Sequence, residues 1–375
     1  MPLVVEDSDP RTAGDDNMVQ RMTVSAFLLL LALQFTACDF RGRSIDEGNL
    51  ELVVAQYYRP GDKKNLDPAV MYKFFSAKSR EQVTEDEWAK TIKGFSDGNA
   101  YTAITILANR EEKGHKYAVV SVAVDARGKE GDTEKRIYSN TWMLESGKWR
   151  RLAFPKIEEE TSAVFFGGDF AAAKKKAEEW LSLDPFSVTA LAMLGESIKG
   201  SPPQIFKGSD RSVDDILRVM LAINPKDTTV LFYAATWAKD ISVAKTFLRK
   251  MEGLAGYDGA AANVAYHIGD PQKRIRFLSE LPEDGKGIRT AKLLSLYDLR
   301  LWDDFRKAYG NEGTFEFLTA FFDDDTTAVA ANRAGELGAA CFFSGNTGEA
   351  QRWLEYGISK DPNDYEVQKL ARLVN

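Results

Sequence analysis

Residues 168–198 read GDFAAAKKKAEEWLSLDPFSVTALAMLGESI. Gly168-Asp169 opens a helical stretch that closes at Leu183-Asp184-Pro185, because proline has no N–H to give the ladder and its ring clashes with the preceding turn. A second helical stretch follows at once, with Leu191, Leu194-Gly195 and Ile198 at helical spacing. Small residues such as Ala173 and Gly195 suit a close crossing of two helices. Large ones such as Leu191 and Ile198 suit the gaps beside it.

The same arrangement returns along the chain. Leu217, Met220 and Leu221 lead to Asn224-Pro225 and then to Leu231, Ala234-Ala235 and Ala238, after a Gly/Pro/Ser-rich insert at 200–212. Near the end, Leu337-Gly338, Cys341 and Gly345 lead into Ala350, Leu354, Gly357 and Asp361-Pro362. These stretches resemble tetratricopeptide (TPR) repeats, whose second helix has the style G-D-Y-x-x-A ending L-x-L-D-P and whose first helix carries W-x-x-L-G-x-x-Y. The spacing within each copy fits a period of ~34 residues. The resemblance makes Gly168, Ala173, Pro185, Leu191, Gly195, Pro225, Gly338, Ala350 and Pro362 structural positions of the repeat. It implies an all-α, TPR-like solenoid over residues 161–375, stacked right-handed with a concave face. Residues 253–325 are degenerate. Ala260–Ile268 with Arg274–Leu281, and Ile288–Leu301 with Trp302–Tyr309, read either as worn repeats or as a plain array of α-hairpins.

Upstream, residues 46–155 read as an α+β domain. Leu50–Tyr58 and Pro68–Phe75 have helical spacing, and Thr84-Glu85-Asp86-Glu87 is a capping box ahead of a third helix with Trp88 and Ile92 inward. Tyr101–Ala108, Lys116–Val124, Arg136–Leu144 and Lys148–Phe154 then alternate with period two, rich in β-branched and aromatic residues. Turns are expected at 128–132 and at Ser146-Gly147. Helices followed by an antiparallel meander, together with the SREQVTEDEW helix at 79–88, resemble the NTF2-like (cystatin-like) fold, a curved sheet wrapped on helices. That resemblance implies a pocket between sheet and helices, with Trp88, Tyr138 and Trp142 as its candidate walls. No catalytic residue is assigned. His115 reads as an exposed strand-edge residue.

Residues 18–37 read as an export signal ahead of Cys38. Arg21 supplies the positive charge, and Val24–Leu33 form an apolar run of about ten residues, too short for a bilayer that takes ~20. Phe35-Thr36-Ala37-Cys38 resembles the lipobox of bacterial lipoproteins, with Phe35 departing from the usual Leu. The resemblance implies lipid on Cys38, cleavage just before it, an anchor linker at 38–45 and an extracytoplasmic, membrane-held protein. Asp39 resembles an inner-membrane retention signal. Residues 1–17 carry five acids against Arg11 and are expected to be a start-site artefact, with Met18 the true start.

A net charge of -7 and the lack of a basic stripe argue against nucleic acid as a partner. Lipid on Cys38 would leave Cys341 alone, at a repeat position that packs inward. Lys174-Lys175-Lys176 reads as a solvated face, and Asp323-Asp324-Asp325 as carboxylates favouring a helix start. His267 has no partner ligands in sequence, so no metal or cofactor is expected. The expected function is a protein–protein scaffold of an envelope complex, working through the solenoid groove. The alternative is binding of a small apolar ligand or cell-wall fragment in the NTF2-like pocket. An enzyme using that pocket ranks last.

Overall fold

The computed structural model describes residues 46–58, 68–96, 100–127, 133–200, 212–238, 240–281, 285–310, 314–322 and 327–374. The export segment with its lipobox, the 128–132 turn, the core of the 200–212 insert and Asp323–Asp325 lie outside them. From Glu47 onward the described residues form one compact unit.

Helices α1 (Leu50–Tyr58), α2 (Pro68–Lys73), α3 (Ala77–Gln82) and α4 (Glu85–Ser96) come first. The capping box is made: Thr84 N–H donates to Glu87 Oε2 at 2.8 Å, and Glu87 N–H returns to Thr84 Oγ1 at 3.3 Å. Four strands follow as an antiparallel meander in chain order: β1 (Ala100–Glu112), β2 (His115–Arg127), β3 (Thr133–Glu145) and β4 (Lys148–Arg151). The first three are longer than the period-two pattern indicates. Lys113-Gly114 joins β1 to β2 in a two-residue turn with φ of 52° and 77°, and Ser146-Gly147 repeats it with 51° and 77°. Positive φ at both central residues matches the right-handed twist of the flanking strands. β4 is shorter than expected, because Pro155 starts the next helix at its first turn.

Period two gives the sheet two different faces. Ala118, Val120, Val122 and Val124 share one face with Tyr138, Asn140 and Trp142. There Tyr57 and Tyr58 of α1 meet Trp142 edge-on at 5.3 and 6.3 Å. Tyr117, Val119 and Met143 point the other way, into a core shared with Trp180, Phe186, Leu191 and Met220 of the helical region.

That region is a run of helical hairpins. α5 (Pro155–Phe166) pairs with α6 (Phe170–Leu183), α7 (Val188–Gly200) with α8 (Val213–Ile223), and α9 (Thr228–Thr236) with α10 (Ile241–Met251). α11 (Tyr257–Tyr266) pairs with α12 (Pro271–Ser279), α13 (Lys286–Asp298) with α14 (Trp302–Tyr309), and α16 (Thr327–Phe343) with α17 (Thr347–Lys360). α15 (Thr314–Phe322) lies against α13, and α18 (Tyr365–Val374) closes the run on α16. The first helices of the hairpins form a row in which each touches the next: α5, α7, α9, α11, α13, α16, α18. The middle stretch is thus built of hairpins like the rest.

The repeat positions sit as follows. Gly168 takes φ 82° in the turn before α6. Ala173, Leu191 and Ala350 are buried, and Pro185, Pro225 and Pro362 stand in the turns after α6, α8 and α17. Gly195 and Gly338 mark close crossings. A Cβ on Gly338 would come within 2.2 Å of Leu370 Cδ2 and 2.9 Å of Trp353 Cβ. Trp353 is fully buried, and its indole N–H donates to the Tyr309 hydroxyl at 2.9 Å, so it has little room to move. Gly338→Ala should therefore cost roughly 1–3 kcal/mol of folding stability as overpacking, read from the urea midpoint at unchanged slope.

Candidate functional site

The sheet docks on the repeats at the turns that end their second helices. Asp184 accepts from Phe186 N–H at 3.1 Å and from the Thr141 side chain. One repeat later, Asn224 Nδ2 donates to Ser121 Oγ and Ser139 Oγ, each at 3.1 Å, and Ser139 Oγ donates to Asp227 Oδ2 at 2.8 Å. Ile137 N–H donates to Thr228 Oγ1 at 2.9 Å. One repeat further, Ala255 N–H donates to Lys135 C=O at 2.9 Å. The contacts therefore step down β3, from Thr141 through Ser139 and Ile137 to Lys135. Three residues of strand advance ~10 Å, which matches the ~8–10 Å between neighbouring packed helices. Strand and repeat array run in register.

Asp184, Asn224 and Asp227 are buried in this contact. Asp184 and Asn224, which end repeat helices, and Asp227, which caps the start of the next, thus also fasten the sheet, a second role that their place in the repeat motif does not reveal. Burial pushes the carboxyls of Asp184 and Asp227 up to about 6, against hydrogen bonds from Thr141 and Phe186 to the first and chiefly from Ser139 to the second. A carboxyl raised on folding adds stability that is complete below its unfolded value near 3.8 and is lost as pH rises through about 6. Asp184→Asn keeps a carbonyl acceptor for Phe186 N–H and removes that titration. Its Tm should exceed the parent's at pH about 8, and the gap should close below pH about 4, as a fluorimetric melt would show. Asn224→Ala leaves both serines without their donor and should cost about 1–3 kcal/mol at either pH, by urea titration.

Of the proposed pocket walls, Trp142 is fully buried and Trp88 nearly so, and neither faces open space. The interior beside them holds Tyr57, Tyr58, Phe75 and Arg151. Tyr138 alone of the three borders an open groove, of about 620 Å³, with Val124, Ala126, Ile137 and Phe232 among its walls. His115 and His267 are exposed, and Cys341 is buried, its thiol pushed up to about 12 by burial. Among the described residues no cluster of His, Cys, Asp and Glu could hold a metal, and no helix is long and apolar enough to cross a membrane.

The row of first helices bends, and side chains show which way. Arg333 of α16 lies over the ring of Tyr266 of α11 at 5.4 Å, reaching past α13. Lys369 of α18 donates to the Tyr297 hydroxyl of α13 at 2.9 Å, reaching past α16. Next-but-one helices meet only on the side toward which a row curves, so these residues line the concave face. Glu336 stands one turn from Arg333 there. Burial, reinforced by Glu366 and Asp298, pushes its carboxyl up to about 7. The face combines half-buried aromatics with charges of both signs.

The helical part is an array of stacked α-hairpins. Two solved structures similar to the chain are a human IFIT1 dimer with PPP-AAAA and YrrB, described as a TPR protein with an unusual peptide-binding site. The first is 14% identical over 60% of this chain and 54% of its own, with a TM-score of 0.36. The second is 14% identical over 58% of this chain and 91% of its own, with a TM-score of 0.24. The chain thus spans about half the length of the human structure. No family profile and no curated protein sequence matches it.

Proposed function

We propose that this chain is a lipid-anchored protein of the bacterial cell envelope that holds partner proteins on the concave face of its repeats, as a binding scaffold and not as an enzyme. The observation that carries the scaffold reading is the concave face itself. Tyr266, Tyr297, Arg333, Glu336 and Lys369 come from four different helices and are brought onto one surface only by stacking of the array. Such a surface suits a peptide segment or a partner domain, where aromatic and arginine contacts carry much of the binding energy. Anchoring rests on the order of Arg21, the apolar run and Phe35-Thr36-Ala37-Cys38. Asp39 favours the inner membrane over the outer.

Both halves can be tested in membranes of the native host with the full chain. A photo-crosslinking residue at Asn263, one turn before Tyr266, or at Lys369 should give the same discrete protein adduct, and one at Lys250 on α10 should give none. Equal labelling from Lys250 would remove the concave face as the recognition surface. Independently, labelled palmitate should enter the chain, and Cys38→Ser should abolish the label and release the protein from the membrane fraction.

A further inference from the structure

Charged side chains at the centre of the concave face engage one another, and one of them is left over. Lys369 of α18 lies 2.8 Å from Glu366 Oε2 and donates to the Tyr297 hydroxyl at 2.9 Å. Asp298 of α13 pairs with Arg274 of α12 at 3.1 Å. Arg333 of α16 lies over the rings of Tyr266 and Phe322 at 5.4 and 5.6 Å. Glu336, one turn further along α16, enters no hydrogen bond and no ion pair among the described residues.

Three helices set its surroundings. Asp298 belongs to α13 and Glu366 to α18, the two helices that Lys369 bridges past α16, and both act on Glu336 together with Lys369 and Arg333. Burial, Glu366 and Asp298 outweigh Lys369 and Arg333, whose cations are held elsewhere, and so push the carboxyl up to about 7. A position used only for packing would be served by glutamine or leucine, which bury no charge. A half-buried carboxylate without a cation is unfavourable in the free chain, and a cation arriving from outside removes that penalty. The same surface presents the half-buried rings of Tyr266 and Tyr297. Rings beside a carboxylate suit the apolar stem and charged head of lysine or arginine. The chain's net charge of -7 favours the approach of a basic segment over an acidic one.

We propose that the concave face takes a partner segment bearing a lysine or arginine, whose cation seats on the Glu336 carboxylate between α13 and α18. This rests on the scaffold reading and names the chemistry of the segment held there. The cation binds the ionised form of Glu336, so binding expels the proton that the free face carries below pH about 7. Affinity should therefore fall about tenfold from pH about 8 to pH about 6.

The test selects random linear peptides, displayed on phage, against the full chain in detergent micelles at pH about 8. Peptides enriched on the chain and weakened by Tyr266→Ala should share one position that is lysine or arginine. Once synthesised, such a peptide should bind Glu336→Gln at least about tenfold more weakly than the parent, and without the pH dependence. Glutamine at its own basic position should cost as much, and the two changes together should cost little more than either alone. Glu336→Gln keeps the side chain's shape and removes a buried charge, so its Tm should equal or exceed the parent's. Should it misfold, the pH profile of the unaltered chain still decides. The proposal falls, and the scaffold reading stands, if peptides that need Tyr266 share no basic position, keep their affinity in Glu336→Gln, or bind equally at both pH values. If Tyr266→Ala weakens no enriched peptide, the concave face is not the recognition surface and both readings fall.

Discussion

Polar groups buried between β3 and three successive repeat turns hold this molecule together, and the geometry of that contact constrains both partners. A strand advances by a fixed step per residue, and a helical row by a fixed step per repeat. They can stay in contact over several repeats only if one step is close to a whole multiple of the other, as three residues to one repeat is here. Because each turn brings its own buried hydrogen-bonding group, slipping the sheet by one residue would leave Asn224 and Asp227 facing the wrong side chains. The cost of unmet buried polar atoms fixes the docking more sharply than the apolar core around Trp180 and Met220 could.

β3 serves two neighbours at once. Its odd residues, Ile137, Ser139 and Thr141, face the repeat turns, and its even residues, Tyr138, Asn140 and Trp142, face the cup. Strand alternation puts the two sets back to back, so both faces of the strand pack against another element along this stretch. That explains why a strand carrying Ser, Thr and Asn sits at the centre of the fold. Each polar side chain meets a specific partner, in the latch or at Arg151.

Much of this architecture was legible in the sequence. The helix-ending prolines after Asp184, Asn224 and Asp361, the capping box at Thr84 and the small residues at close crossings are local signals, and local signals survive in a single sequence. The four strands could be found for the same reason, but their ends could not. Asn109-Arg110-Glu111-Glu112 looks like a loop, yet pairs with His115–Ala118, and Lys113 carries no composition cue for its positive φ. The second roles of Asp184, Asn224 and Asp227 were hidden because they depend on Ser121, Ser139 and Thr141, many residues away. Arg151 read as an ordinary strand residue. Only the folded chain shows the aromatic rings around it and the amide of Asn140 beside it.

The latch covers only the first part of the row, ending at the turn before α11. Among the described residues, from there to α18 each hairpin rests on its neighbours alone. Mechanically the molecule is a beam clamped along one end and free at the other. Fluctuations of such a beam grow toward the free tip, so the concave surface formed by α11 to α18 lies on the compliant span. The clamped span, by contrast, gives the cup and its groove a stiff wall.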